Sequence, residues 1–154
     1  MYFWYSKHMN RAIHGVIENP DSDRRTDYLY RVSLKCLVTN NPGEVLVVKE
    51  SGREWWDLPG GGMDHGDSIK ESIARELNEE VGYEGDFSYR IIHTEEPKYL
   101  THGFWQLRLV FRVMPDSLTF KQGEEADDVQ FMNPEQFKDS DRPVERAIYT
   151  YSLL

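Results

Sequence analysis

Residues 58–83 read LPGGGMDHGDSIKESIARELNEEVGY, and the change of pattern inside this stretch decides the fold. Its first part carries Pro59-Gly60-Gly61-Gly62, where glycines permit backbone conformations and close approaches that side chains block, so a loop begins there. From Ser68 the spacing changes. Ile69, Ile73, Leu77 and Val81 recur every four residues and draw an apolar stripe along one face of a helix. Asp67 or Ser68 is the N-cap, and Glu71 lies three residues after Ser68 in the capping-box arrangement. Gly82 ends the helix as a C-cap glycine.

On either side of this helix the pattern is that of strands. Leu29 to Thr39 alternates and is rich in Val, Leu and Tyr; Asn40-Asn41-Pro42-Gly43 supplies turn chemistry; Glu44 to Lys49 is β-branched. The three pieces predict a hairpin. Trp55 to Leu58 reads as a short strand entering the glycine loop. Beyond the helix, Phe87 to His93, Phe104 to Val113 and Val129 to Met132 read as strands, while Pro134 to Lys138 and Val144 to Tyr151 read as short helices. Strands before and after a central helix imply an α/β sandwich.

A chain of 154 residues fits one domain. The polar run Asn19 to Asp27 divides an N-terminal extension, residues 1–26, from a main domain at residues 27–154. The aromatic run Met1 to Tyr5 reads as a strand or as a patch through which two copies pair, which makes a homodimer an expectation. Five residues cannot span a membrane, so the expectation is a cytoplasmic protein with no membrane partner. Eighteen Lys and Arg against 27 Asp and Glu leave a net charge of -9, which disfavours binding to a nucleic acid backbone. Cys36 stands alone among apolar residues, so no intrachain disulfide is possible and a buried thiol is expected.

Glu76, Glu79 and Glu80 fall at i, i+3 and i+4 of the helix, so their carboxylates gather on one face, away from the Ile69-Ile73-Leu77 stripe. Like charges at this spacing are destabilising, and something positive should sit among them. Hard divalent cations such as Mg²⁺ or Mn²⁺ take oxygen ligands, which a carboxylate cluster beside a glycine loop supplies. Such an ion can neutralise a pyrophosphate and make hydroxide available from bound water. Lys70, Arg75 and the helix N-terminus add positive potential nearby.

The spacing Gly61-x5-Asp67-x7-Arg75-Glu76-Leu77-x-Glu79-Glu80-x-Gly82-Tyr83 resembles the box of the Nudix hydrolase family. Asp67 stands where the family has Glu; the other fixed positions match. Trp56-Asp57-Leu58-Pro59-Gly60 also resembles the family's usual lead-in. The resemblance implies an α/β/α sandwich with a mixed β-sheet and a pyrophosphohydrolase dependent on Mg²⁺ or Mn²⁺. Glu76, Glu79, Glu80 and the Gly60 carbonyl would be metal ligands, with Arg75 orienting the glutamates. Asp67, one methylene short, puts in question a supporting contact between loop and helix.

Many members place an acidic residue in a late loop just before a strand. Glu125, six residues before Phe131, resembles it, and would be an additional ligand or, in competition with Glu76, the general base. The implied substrate is a small nucleotide: a nucleotide-sugar, ADP-ribose, a dinucleoside polyphosphate or a nucleoside triphosphate. Within the family, a proline and a tyrosine some way past the box are cues to different substrates. Pro97 and Tyr99 offer both, so the cues conflict. Arg53, Trp56 and Tyr99 are candidate substrate contacts, each also explicable as surface or core. The alternative reading is a sensor domain of the same fold that binds nucleotide without turning it over.

Overall fold

The computed structural model describes residues 12–13, 16–17, 27–101 and 103–154, with side chains from residue 29 onward. Three two-residue strands come first, β1 (Ala12–Ile13), β2 (Val16–Ile17) and β3 (Asp27–Tyr28), and they pair antiparallel in that order. Most of the extension at residues 1–26, including the aromatic run Met1 to Tyr5, lies outside the described residues.

The main domain contains β4 (Tyr30–Leu37), β5 (Val45–Glu50), α1 (Ile69–Val81), β6 (Phe87–Thr94), β7 (Lys98–Tyr99), β8 (Trp105–Pro115), β9 (Ala126–Met132) and α2 (Pro143–Ser152). One sheet is mixed: β4 runs parallel to β8, while β6 and β7 pair with β8 antiparallel. A second ladder joins β5 and β9 antiparallel.

Alternation along the strands sorts the core into two layers. Leu34, Cys36, Val38, Leu46, Val48, Phe111 and Val113 pack with Ile73, Leu77 and Val81 of α1. Their sequence neighbours Leu37, Val45, Val47 and Val110 point the other way and pack with Ile148 and Tyr151 of α2. One helix covers each face, so the architecture is an α/β/α sandwich with a mixed sheet. Cys36 is buried in the first layer. Among the described residues, no helix is long and apolar enough to cross a membrane.

Two local expectations need correction. Asn40 does close a turn, with its N–H on the Glu44 carbonyl at 3.0 Å, and Thr39 bridges Val45. The expected hairpin goes no further, because the flanking strands separate into different ladders. The inner edge of β4 is taken by the glycine loop: Leu34 and Cys36 donate to the carbonyls of Gly61 and Pro59, and Met63 donates to that of Val32. Residues 55–58 form only an isolated bridge, Val48 to Asp57, whereas the short helix expected at 134–138 is present as one 3-10 turn, Pro134–Phe137. The short strand β7 carried no periodic signal at two residues.

The end of α2 is tied to the sheet edge by one half-buried carboxylate. Glu95 accepts from the Tyr151 hydroxyl, from Lys98 Nζ at 2.8 Å and from Arg108 at 3.5 Å. Burial alone would raise its pKa, but the hydrogen bonds from Lys98 and Tyr151 and the Arg108 charge hold it below the ordinary carboxylate value. A depressed folded-state pKa stabilises the fold above the unfolded value, and that contribution disappears as pH falls through the folded one. Glu95→Gln is expected to lower unfolding free energy near neutral pH by about 2 kcal/mol. It should also flatten the acid-side loss of stability, which urea titrations at a series of pH values would measure.

Candidate functional site

The helix that carries the glutamates is delimited as its sequence dictates. Ser68 is the N-cap, its hydroxyl accepting from the Glu71 N–H while the Glu71 carboxylate accepts from the Ser68 N–H, a complete capping box. Gly82 closes the other end with φ 57°, the left-handed conformation that suits glycine. Three terminal carbonyls of α1 are then capped from a distant segment: Lys121, Gly123 and Glu125 donate their N–H groups to Val81, Glu80 and Glu79. The sequence signal missed this docking, which brings Glu125 beside Glu79; Glu125 itself is exposed.

The glutamates do not all stand clear of the apolar stripe as expected. Glu76 and Glu80 are only 5% and 3% exposed, whereas the Glu79 side chain is 36% exposed. The two buried carboxylates lie along the edge of the apolar stripe, and what meets them there is polar. Glu80 accepts the Gly60 N–H at 2.7 Å. Glu76 lies flat against Gly61, where an added Cβ would stand 2.7 and 2.8 Å from its two oxygens. Burial pushes the Glu80 carboxyl up to about 7, against the opposing pull of Lys35 and the Gly60 N–H. Glu76 is also raised by burial, with the Arg75 charge opposing.

Arg75 ties these groups together. Its Nη1 donates to Glu76 at 2.8 Å and to Glu79 at 3.1 Å, and its Nη2 donates to the Gly62 carbonyl at 2.9 Å. Asp64 and Asp67 stand 3.7 and 3.8 Å from its Nε. Despite its shorter side chain, Asp67 reaches α1, accepting from the Ser72 hydroxyl at 3.3 Å. The loop–helix contact is therefore present with Asp at this position.

Lys35 was not singled out from the sequence, although a lysine inside the apolar run 34–38 is itself a signal. Its side chain is 5% exposed. The ammonium donates to the carbonyls of Leu58 at 2.9 Å and Gly60 at 2.7 Å and pairs with Asp57 at 2.9 Å. Burial opposes its charge, but Asp57 and Glu80 outweigh that and hold its pKa above the ordinary lysine value.

Among the described residues, no three carboxylates, histidines or cysteines converge on one point as a finished metal cage. Glu76 and Glu79 share Nη1 of Arg75, while Glu80 turns to the Gly60 N–H. The three candidate substrate contacts have other partners. Arg53 is ion-paired with Glu50 at 2.6 Å and lies over the Trp55 ring. Trp56 packs against the α2-side core, with its backbone N–H donating to the Glu145 carboxylate. Tyr99 is exposed on β7, edge-to-face with Trp105.

Similar proteins share the family and the fold. The model of one protein family, described as NUDIX domain, matches residues 29–151. An RNA pyrophosphohydrolase from Ruthia magnifica subsp. Calyptogena magnifica is 33% identical over 93 residues, 60% of this chain and 51% of that protein. The chain spans about half the length, or less, of the curated relatives it matches. Among solved structures, the MutT protein of Methanosarcina mazei Go1 superposes with a TM-score of 0.66 at 25% identity, covering 80% of this chain and 92% of that one. The NUDIX domain of Shewanella oneidensis NrtR, solved with ADP ribose, shares the fold with a TM-score of 0.64 at 14% identity, over 82% and 88% of the two chains.

Proposed function

This chain belongs to the Nudix family, and from that premise we propose that it hydrolyses a pyrophosphate bond in a nucleoside diphosphate linked to a further group, with Mg²⁺ or Mn²⁺ as cofactor. The observation that carries this reading is the Arg75 clamp, which gathers Glu76, Glu79 and the Gly62 carbonyl beside the Glu80–Gly60 contact. The residues fit a hard divalent cation. Two carboxylates are buried within one turn of helix, an arrangement that is unfavourable without positive charge, and every available donor is oxygen. Glu76, Glu79, Glu80 and the Gly60 carbonyl would hold the ion. When bound, it neutralises pyrophosphate charge and lowers the pKa of a coordinated water.

The remaining work belongs to the chain itself. Arg75 fixes the rotamers of Glu76 and Glu79 through a rigid guanidinium fork. Gly61, having no side chain, lets the Glu76 carboxylate lie on the loop backbone. Glu125, docked by its backbone at the Glu79 end of α1, supplies a further ligand or, in competition with Glu76, the general base. The pyrophosphohydrolase name of the Ruthia relative and the ADP ribose held by the NrtR domain both support a substrate in which a nucleoside is joined through a pyrophosphate. Arg53, Trp56 and Tyr99 would then act, if at all, on the part of the substrate beyond the diphosphate.

Purified protein with Mg²⁺ should cleave a pyrophosphate bond in at least one member of a panel containing ADP-ribose, a nucleotide-sugar, a dinucleoside polyphosphate, a nucleoside triphosphate and a 5′-triphosphorylated oligonucleotide, read as release of a nucleotide from the first four and of pyrophosphate or phosphate from the last. Silence across that panel with both Mg²⁺ and Mn²⁺ would overturn the hydrolase reading in favour of a nucleotide sensor.

A further inference from the structure

We infer that Lys35 is a built-in counter-cation of the divalent-metal site, holding the Gly60 carbonyl and offsetting the buried glutamates in the metal-free chain, and that it limits metal affinity by opposing the incoming ion. The inference rests on the reading of Glu76, Glu79, Glu80 and Gly60 as metal ligands and adds to it a residue from a different element. Lys35 comes from β4, the strand whose edge pairs with the glycine loop.

Three observations lead there. Lys35 is a buried lysine whose ammonium satisfies itself on two loop carbonyls, Leu58 and Gly60, and one carboxylate, Asp57. Asp57 accounts for one charge, so the ion pair alone is neutral. Yet the same ammonium also acts on Glu80, whose carboxylate is held by the N–H of the residue whose carbonyl Lys35 holds. Gly60 is thus gripped at both ends, by a cation on its oxygen and an anion on its nitrogen. Finally, Glu76 and Glu80 are one helical turn apart and buried, and Arg75 bonds to Glu76 but not to Glu80. Lys35 and Glu80 meet instead through Gly60, one on its carbonyl and the other on its N–H.

A divalent ion that shared the Gly60 carbonyl would meet an ammonium already 2.7 Å from that oxygen. Charges of one and two units so placed, inside a protein where screening is weak, repel strongly. Part of the metal's binding free energy must then be spent on moving or tolerating Lys35, while the metal-free chain is spared the repulsion among its carboxylates. Metal affinity is lower than the oxygen donors alone would give, and the empty site stays folded.

The test compares Mn²⁺ binding to the intact chain and its variants, read by the loss of the free-ion paramagnetic resonance signal and by thermal melting. Lys35→Met removes both charge and hydrogen bonds; Lys35→Gln removes the charge but keeps an N–H donor for the Gly60 carbonyl. Both are expected to bind Mn²⁺ at least tenfold more tightly than the unaltered chain. Both should also melt lower without metal and recover more on adding Mn²⁺. If Lys35→Met does not fold, Lys35→Gln carries the comparison. Unchanged or weaker Mn²⁺ affinity in a folded variant overturns the inference and leaves Lys35 as a loop tether, for which the glutamine variant should behave as the unaltered chain does. A different failure is distinguishable. If the unaltered chain shows no Mn²⁺ binding that Glu79→Gln weakens, the metal-site reading itself falls, and the role of Lys35 falls with it.

Discussion

Glu79→Gln is expected to reduce kcat by on the order of a thousandfold, about 4 kcal/mol of transition-state stabilisation, while leaving the fold intact. The side chain is about a third exposed and its one strong partner is Arg75 at 3.1 Å. Glutamine keeps the size and one carbonyl oxygen, so Arg75 retains its bonds to Glu76 and Gly62. What disappears is a negative charge at the most accessible of the three carboxylates, the one an arriving cation and substrate would meet first. The thermal midpoint should move little, since a partly exposed ion pair contributes roughly 0.2–1 kcal/mol. Steady-state kinetics on the best substrate of the panel, alongside a melting curve, checks both halves. Activity retained within tenfold would show that this carboxylate has no part in the reaction.

The second large effect is on the loop. Gly60 has φ 130°, where an L side chain is strained, and an added Cβ would collide with the backbone carbonyl of Leu34. Leu34 is fully buried on β4 and hydrogen-bonded to Gly61, so it has nowhere to go. Gly60→Ala therefore combines backbone strain with overpacking, and a loss of about 2–5 kcal/mol in unfolding free energy is expected. Activity should vanish with it, because both polar groups of Gly60 serve the site. Gly66→Ala provides the control: φ is 95°, but nothing lies within 4 Å of the added carbon. Only the strain remains, and the loss should be about 1 kcal/mol. Urea midpoints of the two variants separate collision from strain; equal losses would mean that Leu34 and the loop move apart freely.

Some of this molecule was legible before any coordinates. The spacing of Ile73, Leu77 and Val81, the Ser68–Glu71 capping box and Gly82 are local: each depends on groups within about five residues of one another, and the helix forms as read. The identity of the glutamates and their common helix were likewise readable, as was the two-sided sandwich, because strand alternation is a property of consecutive residues. The hairpin at Asn40 was misread for a definite reason. Turn chemistry specifies the reversal, but it does not specify which backbone will claim the strand edge, and here residues 59–63 claim β4.

The sequence by itself determined a glycine loop, a capped helix and three carboxylates with an arginine at their side. Only the tertiary structure decided that Glu76 and Glu80 are buried and Glu79 is not, that Lys35 grips Gly60 from a strand 25 residues away, and that the backbone of residues 121–125 closes the helix end beside Glu79. The physical reason is range. Helical hydrogen bonds and caps act over one turn of chain, whereas burial, charge and the competition for backbone donors are set by whichever distant segments the packed sheet brings alongside.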